Sequence, residues 1–227
     1  VSAGWIRIAD QNSVGTLNIN DGTFAPGVAN NLMIGGFTAG ALGVVNVGDG
    51  TGAAGTAILN MAGKPLSLGR EAGTTGRVVI ASDGAVWNAA GVRLGADSGG
   101  ASGAAGELTL LGSGVLTNST SRTYLAAGLA GSEATVTVRD TSAFVHSAPD
   151  EFWIGGRGRA RIDIAGSGRV VLSDTGARNH HLAVYSGTGT LVVADSGVFT
   201  NASTGNFTLG GVGGGSGVGT VIVTNPG

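Results

Sequence analysis

The sequence contains no cysteine, which excludes a disulfide framework and any thiolate metal site. Its 227 residues include only four prolines, and its 45 glycines keep no three-residue period, so it is not collagen-like. Charged residues are scarce, at 11% with a formal net charge of -2, which leaves no concentrated basic surface for nucleic acid. No run approaches the ~18 consecutive apolar residues of a membrane span, so this segment is not expected to insert into a membrane. Intrinsic disorder needs low hydrophobicity and high net charge; here hydrophobic residues make up 42%.

What is present is short Val/Ile/Leu runs punctuated by Gly, Asp, Asn and Ser, the pattern of an all-β chain with many tight turns. The runs repeat. Two apolar residues flanking one outward residue occur at Leu17/Ile19, Val45/Val47, Val78/Ile80, Leu108/Leu110, Val136/Val138, Ile162/Ile164, Leu191/Val193 and Val221/Val223. Upstream of each lies a second short motif, such as Ile6/Ile8, Leu32/Ile34, Leu66/Leu68 and Val92/Leu94. The later copies read as Leu125 alone, Phe152/Ile154, Leu182/Val184 and Phe207/Leu209. The next residue is small (Ala9, Gly35, Gly69, Gly95, Ala126, Gly155, Gly210), with Tyr185 the exception, as a sharp bend requires. A third strand follows, with Phe24, Ile58, Val86, Leu116, Phe144, Val170 and Phe199 expected inside.

Three short strands every ~29 residues, without a helical signal, predict a parallel β-helix (β-solenoid) of about eight rungs. A β-propeller blade would need ~40 residues and four strands. No linker divides the chain, so residues 1–227 read as one domain. Val1 opens the sequence inside a repeat, and neither end carries a polar or helical cap. Bare rungs pair readily with other strands. The expected partners are therefore adjoining rungs of a longer chain, or other copies stacked end to end.

Gly-x-Leu-x-Val followed by Asp-Ser-Gly-x-Phe-x-Asn (residues 189–201), with the returning Leu-x-Ile-Gly (residues 32–35), resembles the Gly-rich repeats of bacterial autotransporter passengers and large surface adhesins. The resemblance spans the chain. It implies a right-handed β-helix, export to the cell surface, and a structural or adhesive role as a stalk or filament segment, with surface glycans or neighbouring cells as partners.

Candidate chemistry is sparse. The turn aspartates Asp21, Asp83, Asp140 and Asp195, with Asp49, recur at similar positions, but Gly112 and Gly166 interrupt the column, and calcium needs six to eight gathered oxygens. They read as turn formers, and no metal or other cofactor is expected. Asn60, Asn88, Asn118 and Asn201 follow the third strand and are expected to stack as an amide ladder. Glycoside cleavage needs two converging carboxylates; the local concentrations are Asp150-Glu151 and, more loosely, Asp163 with Asp174, near His180-His181. No nucleophile, base and orienter assemble from the sequence, so an enzyme is not the reading; a polysaccharide-binding or -cleaving β-helix is the alternative. The outward column of the first strands reads Arg7, Met33, Ser67, Arg93, Tyr124, Trp153, Ala183 and Thr208. Arg93, Tyr124 and Trp153 would lie on consecutive rungs as the candidate contact for a glycan or protein partner.

Overall fold

A computed structural model describes residues 4–27, 30–95, 102–176, 178–211 and 214–225. Among them there is no helix, and the strands follow one another in threes. Turn 1 holds β1 (Gly4–Ile8), β2 (Val14–Ile19) and β3 (Gly22–Phe24); turn 2 holds β4 (Asn30–Ile34), β5 (Leu42–Val47) and β6 (Ala57–Asn60). Turn 3 holds β7 (Leu66–Leu68), β8 (Thr75–Ile80) and β9 (Gly84–Ala89); turn 4 holds β10 (Val92–Leu94), β11 (Ala105–Leu110) and β12 (Val115–Asn118). Turn 5 holds β13 (Thr123–Leu125), β14 (Glu133–Val138) and β15 (Ala143–His146); turn 6 holds β16 (Phe152–Ile154), β17 (Arg159–Ile164) and β18 (Arg169–Leu172). Turn 7 holds β19 (His180–Leu182), β20 (Thr188–Ala194) and β21 (Val198–Asn201), and β22 (Phe207–Leu209) and β23 (Val218–Thr224) begin an eighth.

Each strand pairs in parallel with its counterparts one turn before and after, giving two eight-stranded sheets and one of seven. The chain is thus a β-solenoid with a repeat of ~29 residues. Alternation along each strand sends every second residue into one continuous core running from Ile19 to Leu191. No turn could bury this face alone; stacking buries it.

The corners explain the small residues. After every first-sheet strand the chain turns through a left-handed residue: Ala9, Gly35, Gly69, Gly95, Ala126, Gly155, Ala183 and Gly210 all have positive φ. At Gly69 (φ 56°) a Cβ would lie 1.8 Å from the Ala105 carbonyl oxygen of the next turn, so the backbones meet where a side chain would go.

Register corrects the sequence reading in three places. His180 pairs with Phe207 and Leu182 with Leu209, so the inward pair of turn 7 is His180/Leu182, not Leu182/Val184. The small corner residue is then Ala183 rather than Tyr185, and the outward member is His181 rather than Ala183. In turn 5 the inward partner of Leu125 is Thr123, in line with Val92 and Phe152. In turn 2, Phe24 and Val86 both pair with Leu59, so Leu59 and not Ile58 fills the third-sheet core.

The same shift breaks the asparagine ladder. Asn60 pairs with Trp87, and Met61, fully buried, takes the inward place beyond Leu59. A bulge sets Asn118 against Ala89, and the side chain of Asn88 lies outside the described residues. Between Asn118 and Asn201 stand His146 and Leu172, so the amides do not stack.

Candidate functional site

Chemistry concentrates on the two faces of the first sheet in turns 5 to 7. On the inner face, and at the corner where the third sheet leads into the first, polar side chains replace the apolar column. Asn118, Thr123, His146 and His180 are fully buried, and Asp174 nearly so. Register forces them inward: the corresponding places in adjoining turns hold Ala89, Val92, Leu172 and Phe207.

The hydrogen bonds fix both imidazoles. His146 Nε2 lies 2.9 Å from the Asp150 carbonyl oxygen, which can only accept, so Nε2 carries the proton. His146 Nδ1 is left to accept, 3.1 Å from Asn118 Nδ2 and 3.1 Å from Thr123 Oγ1. Burial is the main force holding His146 below its ordinary pKa. At His180 the Phe152 backbone N–H donates to Nδ1 at 3.2 Å, so here too Nε2 bears the proton. It points to Ser203 Oγ at 3.0 Å, and Ser203 donates onward to Asn201 Oδ1 at 2.6 Å. Asp174 Oδ2 approaches the same nitrogen to 2.8 Å, but off the line of a directed hydrogen bond, and both carboxylate oxygens lack a hydrogen-bonded partner.

Ser203, His180 and Asp174 therefore gather the residue types of a nucleophilic triad in the wrong arrangement. In a working triad the acid orients the ring through one nitrogen and the base acts through the other. Here serine and aspartate share Nε2, and a backbone donor fills Nδ1.

On the outer face the sequence-predicted column is assembled: Arg93 pairs with Tyr124 and Tyr124 with Trp153. The Tyr124 and Trp153 rings are 4.8 Å apart, and Tyr185 meets Trp153 edge-on at 5.9 Å. They do not form an open platform. Tyr124 is 4% and Trp153 8% exposed, because Ala127 and Val184 from the following corners pack over them. Burial pushes the Tyr124 phenol up, although Arg122 donates to its oxygen at 2.6 Å.

The carboxylates are dispersed and occupied. Arg122 Nε holds Asp150 at 2.8 Å and lies 3.6 Å from Glu151. Asp163, on the second sheet, is gripped by Nε and Nη2 of Arg161 at 2.7 and 2.6 Å, whereas Asp174 is buried in the third-to-first corner; the two do not face one groove. Arg159 pairs with Glu133 at 2.8 Å, and Arg157 lies over the Tyr185 ring.

The turn aspartates bind backbone. Asp140 Oδ2 accepts from Gly112 N–H at 3.0 Å and Asp195 Oδ2 from Gly166 N–H at 3.2 Å, each reaching one turn back. Gly112 and Gly166, which interrupt the aspartate column in sequence, are its donors. Asp21 binds locally, accepting from Gly22 N–H at 2.8 Å. Asp83 stands apart: fully buried, it accepts from the N–H groups of Gly50, Asp49 and Gly52 in the longer turn below. Burial alone would raise its pKa, but those donors together hold it below the ordinary carboxylate value.

Compared with protein families, curated proteins and solved structures, the chain finds no significant match. The buried seam was missed in sequence because its members sit 5 to 62 positions apart. Only register, by placing Thr123 between Val92 and Phe152 and His180 against Phe207, brings them into line.

Proposed function

We propose that this chain is a stiff structural segment of an extracellular or cell-surface protein, a stalk that spaces adhesive elements rather than an enzyme. The observation that carries this reading is the unbroken core from Ile19 to Leu191, tied from turn to turn by Asp83, Asp140 and Asp195. Such a stack resists bending because every turn is fixed to both neighbours through three sheets. Absence of cysteine suits export in an unfolded state. The partners at its edges are adjoining turns of the same polypeptide.

Protease treatment of intact source cells tests the reading. A resistant fragment containing turns 1 to 7 and released from the cell surface is expected. A fragment recovered only after the cells are broken would overturn it.

One observation favours a second reading, head-to-tail stacking of copies. Val14-Gly15-Thr16 of β2 repeats as Val218-Gly219-Thr220 of β23, at equivalent places in one sheet. Strand addition between such edges would continue the columns. Electron microscopy across a concentration series separates the two: fibres that lengthen with concentration support stacking, and discrete short rods support a stalk segment.

A further inference from the structure

The buried seam is more than a structural irregularity. An apolar column would serve a stalk at least as well, and the adjoining turns supply one with Ala89, Val92, Leu172 and Phe207. In turns 5 to 7 two imidazoles instead lie inside the core, their rings 5.9 Å apart. His146 carries its proton on Nε2, and its Nδ1 is occupied by donors inside the dry core. A proton added to His146 Nδ1 would meet the Asn118 amide N–H, and the Thr123 hydroxyl could accept it only by turning its own proton away and leaving the network it now completes.

We propose that this seam is an acid-sensitive latch: protonation at His146 opens the third-to-first corner of turns 5 to 7 and leaves turns 1 to 3 closed. The groups facing His146 are Asn118 from β12, Thr123 from β13, the carbonyl and, farther off, the carboxylate of Asp150, Phe152 from β16, His180 from β19 and Asp174 from the corner after β18. The carboxylates of Asp174 and Asp150 favour a charged His146, but Asp174 lies against His180 and Asp150 is held by Arg122, and burial outweighs both. The folded chain thus resists a proton that the unfolded chain accepts. Stability is complete above the ordinary histidine value of ~6.5 and is lost as pH falls below it.

Hydrogen exchange at pH 7.5 and 5.5, corrected for the intrinsic rate, tests the latch. The reporters are Ser147 N–H, bonded to Asn118 O, and Ser173 N–H, bonded to His146 O; Ala81 N–H, bonded to Val47 O, is the control. Protection at Ser147 and Ser173 is expected to fall by up to about tenfold per pH unit below ~6.5, with Ala81 unchanged. The variant Asn118→Ala/Thr123→Val/His146→Leu takes its residues from the same columns of adjoining turns and should lose the pH dependence. Equal protection at both pH values in the wild type, or an undiminished loss in the variant, would overturn the proposal. Should the variant fail to fold, the imidazole NMR signals of the wild type decide, since the chain has only three histidines. A His146 signal that titrates only as the corner opens supports the latch, and one that titrates ordinarily with protection intact refutes it.

Discussion

Asp140 accepts a hydrogen bond at 3.0 Å from the backbone N–H of Gly112, one full turn earlier in the solenoid. Asp195 and Gly166 repeat the relationship two turns on. Both glycines and both aspartates are left-handed, so the same bend alternates between a residue that offers an N–H and one that brings a carboxylate. Asp140→Ala should therefore lower stability by about 1 kcal/mol, the scale of a hydrogen bond to a charged group at an exposed site. Urea unfolding of the variant and the wild type measures this directly.

Asp83 carries more. Its removal strands three backbone donors in the turn of residues 48–52, so Asp83→Ala should lose about 2–3 kcal/mol, more than Asp140→Ala. Because its folded pKa is depressed, its contribution is present above the unfolded aspartate value of ~4 and disappears as pH falls through the lower folded value. The gap between wild type and variant urea midpoints should be wide at pH 7 and narrow toward pH 2.

The burial of Trp153 predicts a packing role. Trp153→Ala should cost about 3–5 kcal/mol, as large-to-small changes in a packed cluster do. Trp87, 42% exposed on the third sheet, should cost clearly less. A solvent-facing platform would have given the two similar, small values in thermal unfolding.

At the first corner, Gly69→Ala would place a Cβ 1.8 Å from a carbonyl oxygen in a left-handed conformation. It should cost more than Gly22→Ala, where φ is also positive but the space is open and only the backbone penalty of about 1 kcal/mol applies. Denaturation midpoints of the two variants test whether close approach, rather than φ alone, selects glycine there.

Much of this fold was legible in the sequence because alternation and period reinforce each other: a strand of three to seven residues has one inward set, and seven or eight copies average out local ambiguity. The failures share a cause. Where a polar residue takes an inward place, as Thr123 and His180 do, hydropathy skips it and the frame slides toward Leu182/Val184. Where two apolar residues adjoin, as Ile58 and Leu59 do, alternation cannot choose, and pairing with Phe24 and Val86 decides. That single step carried Asn60 out of its supposed ladder. The covering of Tyr124 and Trp153 by Ala127 and Val184 depends on how corners fold over the sheet, which strand periodicity does not record.

The chain is a stack of turns, each paired with its nearest neighbours through three sheets. Pulling single molecules by their two ends measures this coupling. Turns peeling from an end should release contour length in steps of ~100 Å, a repeat of ~29 residues at ~3.5 Å each. Release of the whole length in one event, without steps of that size, would mean that the turns unfold as a single unit and are not a nearest-neighbour stack.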